Sequence, residues 1–213
     1  MDEKHPRKYI EAKDFSRYSI NRIRYFEYGT KRSPQSLSRP TFEEWFQNPK
    51  IFINRLGELG ASFDFDNKFI HNDSVIGASL WKDLKDVENK SISASIKRYS
   101  RLNRQEMEEL SKKVNLYYLL AILNSKYASY LLSIQRGGDF NIYPEHIRHL
   151  PIPIASPEDI KMLSDCAKEE LALHQKLKNV ALESDAKLIK DAIKTLDAKI
   201  DDVVYRIYGV QTP

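Results

Sequence analysis

Asn115-Leu116-Tyr117-Tyr118-Leu119-Leu120-Ala121-Ile122-Leu123-Asn124-Ser125-Lys126 contains most of Val114 to Leu123, the longest apolar stretch of the chain, and its reading decides the fold. Leu116, Leu119, Leu120, Leu123, Tyr127, Tyr130, Leu131 and Ile134 recur at spacings near 3.6, with Asn115 placed as an N-cap. The pattern predicts one helix from Asn115 to about Gln135, closed by Gly137-Gly138 as a glycine C-cap. The apolar run falls well short of the roughly 20 residues that a membrane span needs, so no membrane crossing is expected.

Toward the C-terminus, Phe140 to Tyr143 reads as a short extended segment and Pro144 to His149 as a helical turn. The rigid run Leu150-Pro151-Ile152-Pro153-Ile154 reads as a boundary. Ser156 as N-cap, Pro157 at the first helical position and the acidic pair Glu158-Asp159 open a long helix along Leu163, Ala167, Leu171, His174, Leu177 and Ala181. A second helix follows, with Ile189, Ile193, Leu196, Ile200, Val203 and Ile207 stepping by 4, 3, 4, 3, 4, the spacing of a coiled-coil seam. Joined near Glu183 to Asp185, the two predict an antiparallel helical hairpin.

Toward the N-terminus the period shortens. Residues 8 to 39 read as short strands and turns in which Tyr and Ile alternate with Arg, Asn and Ser. Thr41 with Glu44 suggests a capping box opening a short helix through Trp45 and Phe46. Lys50 to Arg55, Leu59 to Phe65, Lys68 to His71 and Ser74 to Ser79 read as strands, with Asp66-Asn67 as the hairpin turn between the middle two. The expected class is α+β: an N-terminal mixed α/β lobe with a small β-sheet over 1–157, then a C-terminal antiparallel helical hairpin over 158–213.

At 213 residues, 41% hydrophobic and 30% charged, with 7 Gly and 9 Pro, the composition excludes a disordered or collagen-like chain. Cys166 is the only cysteine, so no internal disulfide forms, and the opening Met-Asp-Glu-Lys-His-Pro-Arg-Lys lacks the apolar core of a secretory signal. A cytoplasmic setting is expected. The net charge of +4 is unevenly spread: residues 158–202 hold 8 Lys against 11 Asp and Glu, whereas residues 1–157 carry +6. Arg17, Arg22, Arg24, Lys31, Arg32 and Arg39 share their stretch with only Glu27, and Lys97, Arg98, Arg101 and Arg104 share theirs with no acid. Arginine forks suit phosphates and guanine edges, and Tyr18, Tyr25 and Tyr99 lie among these cations as stacking or wedge candidates.

Catalytic signals are weak by comparison. Glu88-Asn89-Lys90 and Asp66-Asn67-Lys68 match very short nuclease patterns, but metal-dependent cleavage needs several convergent carboxylates, and only Asp73 is a nominal third. His5, His71, His146, His149 and His174 have no paired spacing with a cysteine, and His174 on a helical apolar stripe reads as a packed side chain. No Gly-x-Gly-x-x-Gly or Walker A sequence is present, and Gly137-Gly138 beside Arg136 reads first as a helix stop. Cys166 reads as a small buried residue. The chain reads as a binder, with no catalytic residue and no metal.

Several segments resemble a known family. Glu11-Ala12-Lys13-Asp14-Phe15-Ser16-Arg17-Tyr18, Ser38-Arg39-Pro40-Thr41-Phe42 with Lys50-Ile51-Phe52-Ile53-Asn54-Arg55, and Tyr118 to Lys126 are similar, in order, to motifs of the TaqI-like C-terminal specificity domain. Gly138-Asp139-Phe140-Asn141-Ile142-Tyr143 leading to Leu150-Pro151-Ile152-Pro153, and the closing Ile200 to Gly209, resemble the later ones. That domain occurs in adenine-N6 DNA methyltransferases and type IIG restriction-modification enzymes. The resemblance implies a target recognition domain for double-stranded DNA whose partner is a methyltransferase domain or subunit. The glycine-rich S-adenosylmethionine loop and the Asn-Pro-Pro-Tyr motif of the catalytic half are both missing from the sequence, so S-adenosylmethionine is implied for the partner and no cofactor for this chain. Two other readings stand beside it: a helical assembly module with an incidental basic surface, and a small metal-dependent nuclease.

Overall fold

The computed structural model describes residues 1–33, 43–65, 69–99 and 101–211. The fold is α+β, with short strands and small helices giving way to long C-terminal helices. Strands β1 (Arg7–Ile10), β2 (Phe15–Ser16), β3 (Ser19–Ile20) and β4 (Arg24–Phe26) precede α1 (Glu43–Gln47). Then come β5 (Ile51–Asn54), β6 (Ala61–Phe63), β7 (Ile70–His71) and β8 (Val75–Ala78), followed by α2 (Lys90–Tyr99) and α3 (Arg104–Ser111). Helices α4 (Leu116–Leu123), α5 (Lys126–Arg136), α6 (Pro144–Arg148), α7 (Pro157–Asn179) and α8 (Glu183–Ile207) complete the chain.

The strands form three small sheets, ordered β4-β1-β7, β2-β3 and β6-β5-β8. The hairpin expected between β6 and β7 is not formed: β6 pairs with β5, and β7 crosses to lie parallel to β1 through Tyr9 opposite Ile70. Asp66-Asn67, its expected turn, and Thr41, the expected cap of α1, lie outside the described residues. Strand β5 is buried on both faces. Its alternation sends Ile51 and Ile53 into the main core and Phe52 into a second cluster with Ile10, Phe15, Phe69 and Val75. At the edge of that strand, buried Lys50 meets buried Asp64 at 2.5 Å and also donates to the carbonyl oxygen of Phe46. Burial pulls the Lys50 ammonium below its usual range, and the Asp64 carboxylate opposes that pull.

The single helix expected from Asn115 to Gln135 is two helices. Asn115 does cap the first, accepting from the Tyr118 N–H at 3.0 Å, and Gly137 ends the second in the left-handed region at φ 57. The break falls at Asn124-Ser125. The Asn124 side chain accepts from the Ala61 N–H at 2.9 Å and donates to the Ala61 carbonyl at 3.0 Å, which fastens the end of α4 to strand β6. Ser125 then recaps the chain, its hydroxyl accepting from the Ala128 N–H. The Lys126 N–H donates to Asp201 of α8 at 2.8 Å, and the Lys126 ammonium lies 3.1 Å from the same carboxylate. Competing side-chain hydrogen bonds, rather than a weak apolar period, therefore divide the helix.

Helices α7 and α8 form the expected hairpin, with the joint at residues 180–182, just before the expected position. Leu196, Ile200 and Val203 of the seam are buried. Cys166 is buried, and His174 packs its ring 6.1 Å from that of Tyr18. The main core runs through the expected boundary near 157, uniting Ile51 and Ala61 of the strands with Leu120 of α4, Leu163 of α7 and Ile200 of α8. Among the described residues no helix is long and apolar enough to cross a membrane.

Removing the Asn124 amide leaves the Ala61 N–H buried and unpaired. Asn124→Ala is therefore expected to lower the unfolding free energy by about 2–3 kcal/mol, read as a shift of the urea midpoint. A midpoint equal to that of the unsubstituted protein would show that this joint does not hold α4 to the strands.

Candidate nucleic-acid interface

The described cations of the first basic stretch divide into those paired with a carboxylate and those with no ion pair among the described residues. Arg17 and Tyr18 occupy the turn between β2 and β3. Arg17 forks onto Asp197 of α8 with contacts of 2.6 and 3.4 Å. Arg24 forks onto buried Asp14 at 2.6 and 3.1 Å and also meets Glu11 at 3.3 Å. Arg32 pairs with Glu27. Each of these guanidiniums already has an internal carboxylate, and a phosphate would have to compete with it.

The residues left to project are fewer than the sequence suggests. Arg22 and Lys31 are exposed and form no ion pair among the described residues, and Tyr25 is 42% exposed on β4 between them. Tyr18, expected as a stacking or wedge residue, is 2% exposed. Its N–H donates to the Ala61 carbonyl at 2.9 Å and its φ is 56°, so the turn folds the ring into the core, away from the exposed cations. Arg39 and the side chain of Tyr99 lie outside the described residues.

In the second stretch Lys97 and Arg98 project from the last turn of α2, with Arg101 exposed just beyond it. Arg104 is turned inward, donating to Glu108 at 2.8 Å and to the Leu84 carbonyl at 2.9 Å. A cleft of about 250 Å³ between α2 and α6 brings Arg98 and Ser95 to the same surface as Arg148. The sequence does not single out Arg148, because nothing in Pro144 to His149 links that turn to a helix some 50 residues earlier.

The loop leading into α6 adds a group whose sequence reads as scaffold. The Arg136 guanidinium donates to the Gly57 carbonyl at 2.6 Å, Phe140 is 67% exposed beside Gly57, and the Arg55 guanidinium lies 5.7 Å from the centre of the Tyr143 ring. Gly137-Gly138 beside Arg136 is the one signal in the sequence that points here. Cations interleaved with exposed aromatic rings can neutralise phosphate and stack on bases. Of the nuclease patterns, Asp66 and Lys68 lie outside the described residues. Among the described residues no three His, Cys, Asp or Glu side chains come together as a metal site.

Comparison with protein-family models finds no match, and comparison with curated proteins finds none either.

The Arg24 and Asp14 pair has a signature in acid. Burial works to raise the Asp14 pKa, but the Arg24 fork and the Glu11 N–H hold it below the ordinary value of 3.8. A carboxylate depressed in the folded state stabilises fully above its unfolded pKa, and that stabilisation is lost as the pH falls through the folded value. Arg24→Gln is therefore expected to move the acid-unfolding midpoint, followed by circular dichroism, to higher pH. Loss of DNA affinity in an Arg24 variant alone would thus confound binding with folding.

Proposed function

We propose that this chain is the target recognition domain of an adenine-N6 DNA methyltransferase of a restriction-modification system, holding duplex DNA while a separate catalytic domain or subunit transfers the methyl group. The observation that carries the reading is the set of exposed cations left over: Arg22, Lys31, Lys97 and Arg101 project without an ion pair among the described residues, in the part of the chain with charge +6. Acidic partners neutralise Arg17, Arg24, Arg32 and Arg104, and the acidic C-terminal hairpin is poorly suited to touching a polyanion.

The ordered resemblance to the TaqI-like specificity domain supports the same reading from another side. Its Asn-Ser-Lys signature coincides with the joint that holds α4, β6 and α8 together, as befits a scaffold motif. Specificity then belongs to side chains on the exposed loops and helix ends. On this reading Lys97, Arg98, Arg101, Arg22 and Lys31 set register on the phosphates, with Tyr25 as a stacking residue, and S-adenosylmethionine belongs to the partner.

Binding to a mixed-sequence duplex, followed by fluorescence anisotropy, is expected to weaken steeply with salt. Lys97→Ala with Arg101→Ala is expected to weaken it roughly tenfold or more and to flatten the plot of log affinity against log salt by about 0.9 for each phosphate no longer neutralised. Lys187→Ala, on the acidic hairpin, is expected to change neither. A chain that binds no duplex even at low salt is not a stand-alone DNA reader.

A further inference from the structure

An apolar cavity of about 510 Å³ lies between the strands and one face of α7, and none of the cations assigned to DNA lines it. Buried Tyr18, Phe69 and Leu171 form its depth, and the half-exposed Ile23 and Phe65 stand at its rim. Lys168, Leu171, Gln175 and Lys178 reach it from α7 at intervals of three or four residues, the spacing of a single helix face. The volume is within the range of small-molecule sites, which combine apolar walls with a few placed polar groups.

The polar groups are one-sided. Among the described residues Lys168 and Lys178 are the only charged ones lining the cavity, and no acid lines it, although the hairpin behind it carries more acids than lysines. Lys168 sits 5.3 Å from the centre of the Tyr117 ring, with Asp165 of the same helix 3.3 Å from its ammonium. Lys178 forms no ion pair among the described residues. Its ammonium donates to the Ile20 carbonyl, which ties the charge to the strand wall of the cavity. A tethered cation in the wall of an apolar cavity calls for a ligand with an apolar body and an acidic group. An aromatic or aliphatic body would bury against Tyr18, Phe69 and Leu171, and its acid would take the remaining donors of Lys178.

From this arrangement we infer that the cavity is a binding site for an amphipathic organic anion, with Lys178 as the residue that receives the acidic group. The inference is independent of DNA binding.

The test uses the full chain and 1-anilinonaphthalene-8-sulfonate as the anionic probe, with N-phenyl-1-naphthylamine as its uncharged counterpart. Saturable binding of one sulfonate probe per chain is expected by fluorescence titration, with the uncharged probe bound more weakly. Lys178→Ala is expected to weaken the sulfonate about tenfold and leave the uncharged probe unchanged. Ala172→Trp, a change at an exposed lining position, is expected to block both probes. Thermal unfolding of both variants is compared with the unsubstituted chain. If Ala172→Trp alters folding, Gln175→Trp at the same exposed face takes its place. Absence of saturable binding, or binding indifferent to the tryptophan, overturns the site. Equal binding of both probes, or a sulfonate affinity indifferent to Lys178→Ala, overturns the anionic class of ligand.

Discussion

The structure depends on what happens at Ala61. Its carbonyl accepts from the Tyr18 N–H and from the Asn124 side chain, and its N–H donates to the same Asn124 amide. One residue of an edge strand thus meets the β2 to β3 turn on one side and the end of α4 on the other. Two residues beyond Asn124, the Lys126 N–H and ammonium both reach Asp201, so the start of α5 is bound to α8. Ala61, Asn124 and Asp201 are buried, and each of their polar groups would carry a desolvation cost if left alone. The network is therefore complete or costly, and that fixes where α4 stops, where α5 starts and how the hairpin seats on the strands.

Around this joint the apolar residues fill a continuous core. Leu120 and Ile122 of α4 belong to the same cluster as Ile51 and Ile53 of β5 and the buried faces of α7 and α8, and hydrophobic burial supplies most of the driving force. The change in charge near residue 157 therefore divides the surface without dividing the interior. An acidic hairpin and a basic lobe share one hydrophobic core, so the charges face different solvent while the apolar faces meet.

Pairing with carboxylates governs the arginines as well. Sequence composition counts Arg17, Arg24, Arg32 and Arg104 with the other cations, yet each has a carboxylate within an ion pair. Arg24 and Asp14 are ten residues apart and Arg17 and Asp197 are 180 apart, so local inspection could suggest the first pair but not the second. Arg98 and Arg148 line one cleft between α2 and α6, together with Glu145, and no spacing in the chain encodes that placement. Tyr18 illustrates the reverse case. Flanked by Arg17 and Arg22 it reads as a surface aromatic, but a left-handed turn sends its ring inward.

By itself the sequence determined the α+β class, the strand positions from Lys50 to Ser79, the Ser156-Pro157 helix start and the seam of α8. These rest on short-range periodicity and capping, which are properties of neighbouring residues. The tertiary structure alone decided that β7 leaves β6 for β1, that the Asn115 helix divides at Asn124, and which cations remain exposed. The first two turn on backbone and side-chain hydrogen bonds between residues distant in the chain, which have no local signature; the cations mix both cases, since Arg32 and Arg104 pair with near neighbours whereas Arg17 reaches Asp197. The cavity beside α7 belongs with them: its lysines and aromatics come from separate segments that only the packed core brings to one wall.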